Sequence, residues 1–146
     1  MDNVVDVAVS LLDELDCSCV IITREGEKIV CNRRGIADLY DILKVHPEQL
    51  HGATVADKVV GKGAAALMAA GGVLRVHTHM ISRDALMLFK TEGVEVTYDA
   101  EVDYIINRAG TGRCPVESMC DGFKTASECL PAIDAFIEGL RNRVSE

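Results

Sequence analysis

The sequence predicts an α/β fold in which a mixed sheet carries helices on both faces. Three observations lead there. Short runs rich in β-branched residues are interleaved with segments of helical periodicity along the whole chain. Its 146 residues suit one domain, a size at which folding buries roughly two thirds of the unfolded surface. Apolar residues make up 49% of the sequence, and no stretch is poor enough in them to stay unfolded. The expectation is a single domain over residues 1–146.

The elements follow in order. Val4, Val5, Ala8, Val9, Leu11 and Leu12 recur at three- and four-residue spacing, which predicts a helix over about 2–15. CSCVIIT (17–23) and KIVCN (28–32) flank the turn-like Arg24-Glu25-Gly26-Glu27 and predict a β-hairpin. Ile36, Leu39, Tyr40, Ile42 and Leu43 predict a short helix that stops before Pro47. TVADKVVGKGAAALMAAGG (54–72) reads as one helix, with Thr54 as N-cap, Asp57 three residues on and Gly71-Gly72 closing it. VLRVHTHMI (73–81) predicts a strand, Ser82 the cap of a helix reaching Gly93, and VEVTY (94–98) another strand. VDYII (102–106) fits strand or helix, and NRAGTGRCP (107–115) is a glycine-bearing loop. Ile133, Phe136, Ile137 and Leu140 stripe a last helix over about 126–144, despite Pro131 near its start.

Charge narrows the function classes. Fifteen basic residues against 23 acidic ones give a net charge of −8, so the surface as a whole repels nucleic acid and anionic lipid. Neither nucleic acid nor membrane is expected as a partner. The N-terminal stretch carries Asp2, Asp6 and Asp13 where a signal peptide would be basic and then apolar, and no apolar run approaches the ~18 residues of a membrane span. A cytoplasmic protein is expected, with Cys17, Cys19, Cys31, Cys114, Cys120 and Cys129 as reduced thiols.

Several residues invite chemistry, each beside a plainer role. On a 54–72 helix, Lys58 and Lys62 share one face, where they either form a solvated surface or bind an anion near the helix start. Gly61 and Gly63 weaken that helix, which close packing or close ligand approach would explain. His77 and His79 point to the same face of one strand, but two imidazoles are not a metal site, and no carboxylate or cysteine is placed by sequence to complete it. Cys114 and Cys120 are separated by five residues, too many for a structural zinc knuckle, while Cys114 follows Arg113 in a loop that would favour a reactive thiol. No metal and no cofactor is expected.

VADKVVGKGAAALMAAGGV, with RRGIADLY before it and NRAGTGRCPVE after it, resembles the family catalogued as domain of unknown function 1893, over about residues 15–120. The resemblance implies a cytidine-deaminase-like fold, a three-layer α/β/α arrangement also used by a purine-pathway formyltransferase and a formate dehydrogenase accessory protein. Zinc deaminases need His or Cys, Ala and Glu at one helix start and Pro-Cys-x-x-Cys at the next. In this carry-over Val55-Ala56-Asp57 occupies the first position, and Cys114-Pro115-Val116-Glu117-Ser118-Met119-Cys120 lacks the second pattern. Zinc-dependent deamination is therefore not expected.

What the resemblance leaves is a cleft where the two helix starts meet. It would bring Asp57, Lys58 and Cys114 together as catalytic candidates, and Lys58, Lys62, Asn107, Arg108 and Glu117 as ligand-binding ones. The leading expectation is a zinc-free protein that binds a small anionic or nucleotide-like ligand there. A homo-oligomer is expected as well, and three alternatives stand beside the leading one: a transferase or lyase using Asp57 and a lysine, a thiol redox sensor or sulfur carrier using Cys114 and Cys120, and a non-catalytic oligomeric protein.

Overall fold

The computed structural model describes residues 3–33, 36–106 and 110–145. Along them run helix α1 (Asn3–Glu14), strands β1 (Cys19–Ile22) and β2 (Lys28–Cys31), and helix α2 (Ala37–Val45). Strand β3 (Thr54–Val60), helix α3 (Lys62–Gly71), strand β4 (Arg75–Ser82), helix α4 (Arg83–Glu92) and strand β5 (Glu95–Val102) follow. Helices α5 (Pro115–Met119) and α6 (Ala126–Ser145) complete the chain.

The hairpin forms as its residues predict. Thr23 N–H donates to Glu27 O at 2.8 Å, and Gly26, at φ +94°, donates to Thr23 O at 2.9 Å, which sets Cys19 opposite Cys31. One mixed sheet results, in the order β2-β1-β3-β4-β5. Strand β1 is antiparallel to both β2 and β3, while β3, β4 and β5 run parallel with α3 and α4 as crossovers.

The largest correction falls on residues 54–72, which are two elements and not one helix. Thr54 is no N-cap: it is a strand residue paired with Ile22 on one side and Arg75 on the other. The helix begins only at Lys62, after Gly61 in extended conformation. Val55, Ala56 and Val60 are all buried because β3 is central and covered on both faces over most of its length, with Lys58 and Val59 the less buried positions, and this erases the two-residue alternation of a half-exposed strand. Elsewhere the differences are smaller. Ser82 Oγ accepts from Ala85 N at 3.2 Å as the expected cap of α4. Strand β5 runs on to Val102, and beyond it Ile106 makes an isolated bridge with Arg113.

Helix α1 packs Ala8 and Leu12 onto Val20, Ile22 and Ala56 on one face of the sheet. The other face carries the main core, where Ile21 and Val55 meet Leu67, Met68, Phe89 and Ile133 of α3, α4 and α6. The glycines of α3 serve close packing: a Cβ on Gly63 would lie 2.1 Å from Val116 Cγ1, and one on Gly71 would lie 2.6 Å from Leu50 Cδ1. Alternation along β3 thus sends Val55 and Asp57 toward the main core, and Ala56 and Lys58 toward α1. Since α1 lies mainly over β1 and β3, the β4–β5 half of its face stays open, with Thr97 and Asp99 exposed. Among the described residues no helix is long and apolar enough to cross a membrane.

Candidate functional site

A cleft of about 660 Å³ opens where α2, α3 and α5 begin, with α6 along one side. Most of its wall is apolar, from Ile36, Ile105, Val116, Phe136, Ile137 and Leu140, and its polar side chains include Asp57, Cys114 and Glu117.

Asp57 reaches this wall from β3. It is nearly buried, and burial raises its carboxyl to about pH 7, against the Val59 and Lys58 amides and the Cys19 thiol, which favour the ionised form. Its Oδ1 accepts from Val59 N at 3.3 Å. An acid that exchanges its proton near neutrality, in an apolar wall, is equipped to orient or transfer a proton.

Lys58 and Lys62 do not share a face. Lys58 borders the cleft, but its ammonium pairs with Asp16 Oδ1 at 3.0 Å beside the end of α1, across the sheet. Lys62 opens α3 with its side chain buried, and the side chain lies close enough to Cys120 and Cys129 to favour their thiolates. The cationic face expected of these lysines is therefore absent, because a strand and a helix start replace the single helix that would have aligned them.

Glu117, 1% exposed, uses both carboxyl oxygens within the protein. Oε2 accepts from Lys62 N at 2.9 Å and from the Ser82 hydroxyl, while Oε1 accepts from Ile105 N at 2.7 Å. It borders the cleft as the clamp that joins α5 to the start of α3, the start of α4 and the segment after β5. It also occupies the favourable end of the α3 dipole, where an anionic ligand was expected.

Cys114 lines the cleft at the start of α5 and is half-buried, with its N–H donating to Ile105 O at 2.7 Å. Cys120 caps the other end of that helix, about 9 Å along its axis, too far for a disulfide with Cys114. It pairs instead with Cys129: this hydrogen bond pushes the Cys120 thiol up and holds the Cys129 thiol down. Asn107 and Arg108, expected on the far wall, lie outside the described residues.

His77 and His79 lie away from the cleft, on the open half of the α1 face, and Asp99 of β5 stands beside them. Asp99 foremost and then Asp13 hold His79 protonated above the ordinary imidazole range. The sequence reading missed Asp99. No local pattern in the sequence marks it: the parallel pairing of β4 and β5 sets Thr97 beside His77 and Asp99 level with His79.

Comparison with known proteins accords with this architecture. The model of a family described as a domain of unknown function, DUF1893, matches residues 7–137. A crystal structure of a DUF1893 family protein from Thermotoga maritima superposes with a TM-score of 0.83, covering 92% of this chain and 90% of that one at 24% identity, and so speaks to the fold alone. No curated protein matches. The chain belongs to the DUF1893 family.

Proposed function

We propose that the cleft at the starts of α2, α3 and α5 binds a small organic ligand with a flat or apolar body and a polar edge directed at Asp57. The observation that carries this reading is one protonatable carboxyl set in a mostly apolar wall of about 660 Å³. The anionic ligand of the sequence reading has less support here: Lys58 borders the cleft with its ammonium paired to Asp16, Lys62 is buried away from the lining, and Glu117 already caps α3. An uncharged heterocycle is the better match, stacked against Phe136 and hydrogen-bonded to Asp57. A cytidine-deaminase-like kinship belongs to the same proposal, supported by a mixed sheet with several helix starts meeting at one cleft. Within it the zinc motif does not map onto Val55-Ala56-Asp57, which lie in a strand, and Ile36-Ala37 and Gly61-Lys62 at the true helix starts offer neither imidazole nor thiol.

Amide shifts of isotope-labelled protein test this, with adenine, uracil and nicotinamide as uncharged probes and inorganic phosphate as the anionic one. At least one heterocycle should move the amides of Asp57, Gly61, Ala64 and Val116, and Asp57→Asn should weaken it about fivefold. If no heterocycle moves them, or if phosphate alone does, the reading fails. A second reading, proton-transfer catalysis, is favoured by the near-neutral Asp57. It requires a turnover that Asp57→Asn removes with binding largely kept.

A further inference from the structure

We infer that His77, His79 and Asp99 form a binding site for a first-row divalent transition-metal ion of the zinc class, on the open half of the sheet's α1 face. Each offers one ligand atom, and these atoms all lie within 4.8 Å of one another. Two neighbouring parallel strands supply them, so backbone hydrogen bonds fix their spacing.

The remaining ring nitrogens carry the argument further. His77 Nδ1 is 2.8 Å from Thr97 Oγ1, and His79 Nε2 is 3.0 Å from Asp13 Oδ1. With those two nitrogens occupied, His77 Nε2 and His79 Nδ1 are the ones turned to Asp99, at 3.7 and 2.7 Å. An outer hydrogen bond from each imidazole, one of them to a carboxylate, is the arrangement that orients metal-binding histidines and fixes their tautomers. Two imidazoles and one carboxylate suit zinc, nickel, copper or iron, whereas calcium and magnesium prefer oxygen alone.

Local charge points the same way. Helix α1 ends at Glu14 with Asp13 in its last turn and Asp16 just beyond, acids at the end where the helix dipole favours a cation. Asp16 has Lys58, while Asp13 faces His79. Asp99 is exposed and both histidines are partly so, which gives an ion a way in and leaves positions for water. The competing account is a simple ion-pair cluster in which His79 sits between two carboxylates.

Tag-free protein, stripped with chelator and with its thiols reduced, would be titrated with Zn²⁺ by calorimetry and with Co²⁺ by absorption. One equivalent of zinc should bind, and the cobalt spectrum should show no thiolate-to-metal charge transfer. His77→Ala and Asp99→Ala should each weaken zinc at least tenfold, and Thr97→Val, which touches no metal, about tenfold. Cys129→Ala should leave affinity unchanged. Circular dichroism checks folding, and the exposed Asp99→Ala decides if His77→Ala misfolds. Failure to bind one equivalent, affinity indifferent to Asp99→Ala, or a thiolate band that moves the ion to the cysteines would each overturn the assignment.

Discussion

Replacing Asp57 by asparagine should change how stability depends on pH. The folded carboxyl titrates near pH 7 because burial penalises its ionised form, whereas in the unfolded chain it titrates near 3.8. Its folded pKa is therefore raised. Between those two values the unfolded chain has released a proton that the folded one retains, so stability falls as pH rises. Three pKa units at about 1.36 kcal/mol each set the full penalty near 4 kcal/mol, of which ~2.5 kcal/mol accrues between pH 5 and 8. Asparagine cannot ionise and is free of that penalty. Urea denaturation of both proteins across this range checks it: Asp57→Asn should gain ~2.5 kcal/mol relative to wild type on going from pH 5 to 8. Other groups cancel in the comparison. Asp41, Asp99, Asp121 and Asp134 have lowered pKa values, so their stabilisation is complete above the ordinary carboxylate range. His79 is raised and loses its contribution as pH climbs through its folded value, equally in both proteins. A difference between the two proteins that stays constant from pH 5 to 8, or shrinks, would show that Asp57 is ionised throughout and refute the burial argument.

Two further outcomes test the packing around the cleft. Gly63→Ala sets a methyl 2.1 Å from Val116 Cγ1, so overpacking of roughly 1–3 kcal/mol should outweigh the ~1 kcal/mol gain in helix propensity. Denaturation midpoints should show the loss, and Val116→Ala should cost less in the Gly63→Ala background than alone, as expected of neighbours in contact. Glu117→Gln leaves an amide N–H₂ facing either Ile105 N–H or the Lys62 N–H and Ser82 hydroxyl, so about 1–3 kcal/mol should be lost. A thermal midpoint within error of wild type would show that Glu117 is not the clamp between α3, α4 and α5.

The legible parts of the fold were those whose local chemistry and tertiary role agree. The hairpin has its turn glycine, α4 has Ser82, and α1 and α6 carry apolar stripes that face a core on one side only. Strand β3 was hidden for the opposite reason. It sits between β1 and β4 with helices on both faces, so the adjacent Val55 and Ala56 are both buried, as is Val60, and no two-residue alternation marks the strand. That single misassignment decided which site residues were misplaced. On a helix Lys58 and Lys62 would share a face, whereas on a strand Lys58 must point opposite to Asp57. Asp57 and Cys114, which the resemblance had set at one cleft, do line the same cleft, although Asp57 reaches it from the middle of a strand and not from a helix start. Asp99 was beyond reach for another reason: a ladder partner is set by register between distant segments, which no local pattern encodes.

The alternation along β3 and β4 also explains why the two proposed sites have opposite character. On the main-core face Asp57 stands among apolar residues, so burial suppresses its charge, and this is the ground for proposing a neutral ligand there. On the α1 face the next position of the same strand, Lys58, points to the side that also carries His79 and Asp99, where Lys58 meets Asp16 at 3.0 Å and His79 meets Asp99 at 2.7 Å within reach of water. Moving an acid from one face to the other would therefore change its chemistry more than moving it along the strand. For the same reason the two proposals can be tested independently: Asp99→Ala should leave heterocycle binding intact, and Asp57→Asn should leave zinc binding intact. Coupled losses would mean that the sheet transmits strain between its faces, and both sites would then have to be read as one.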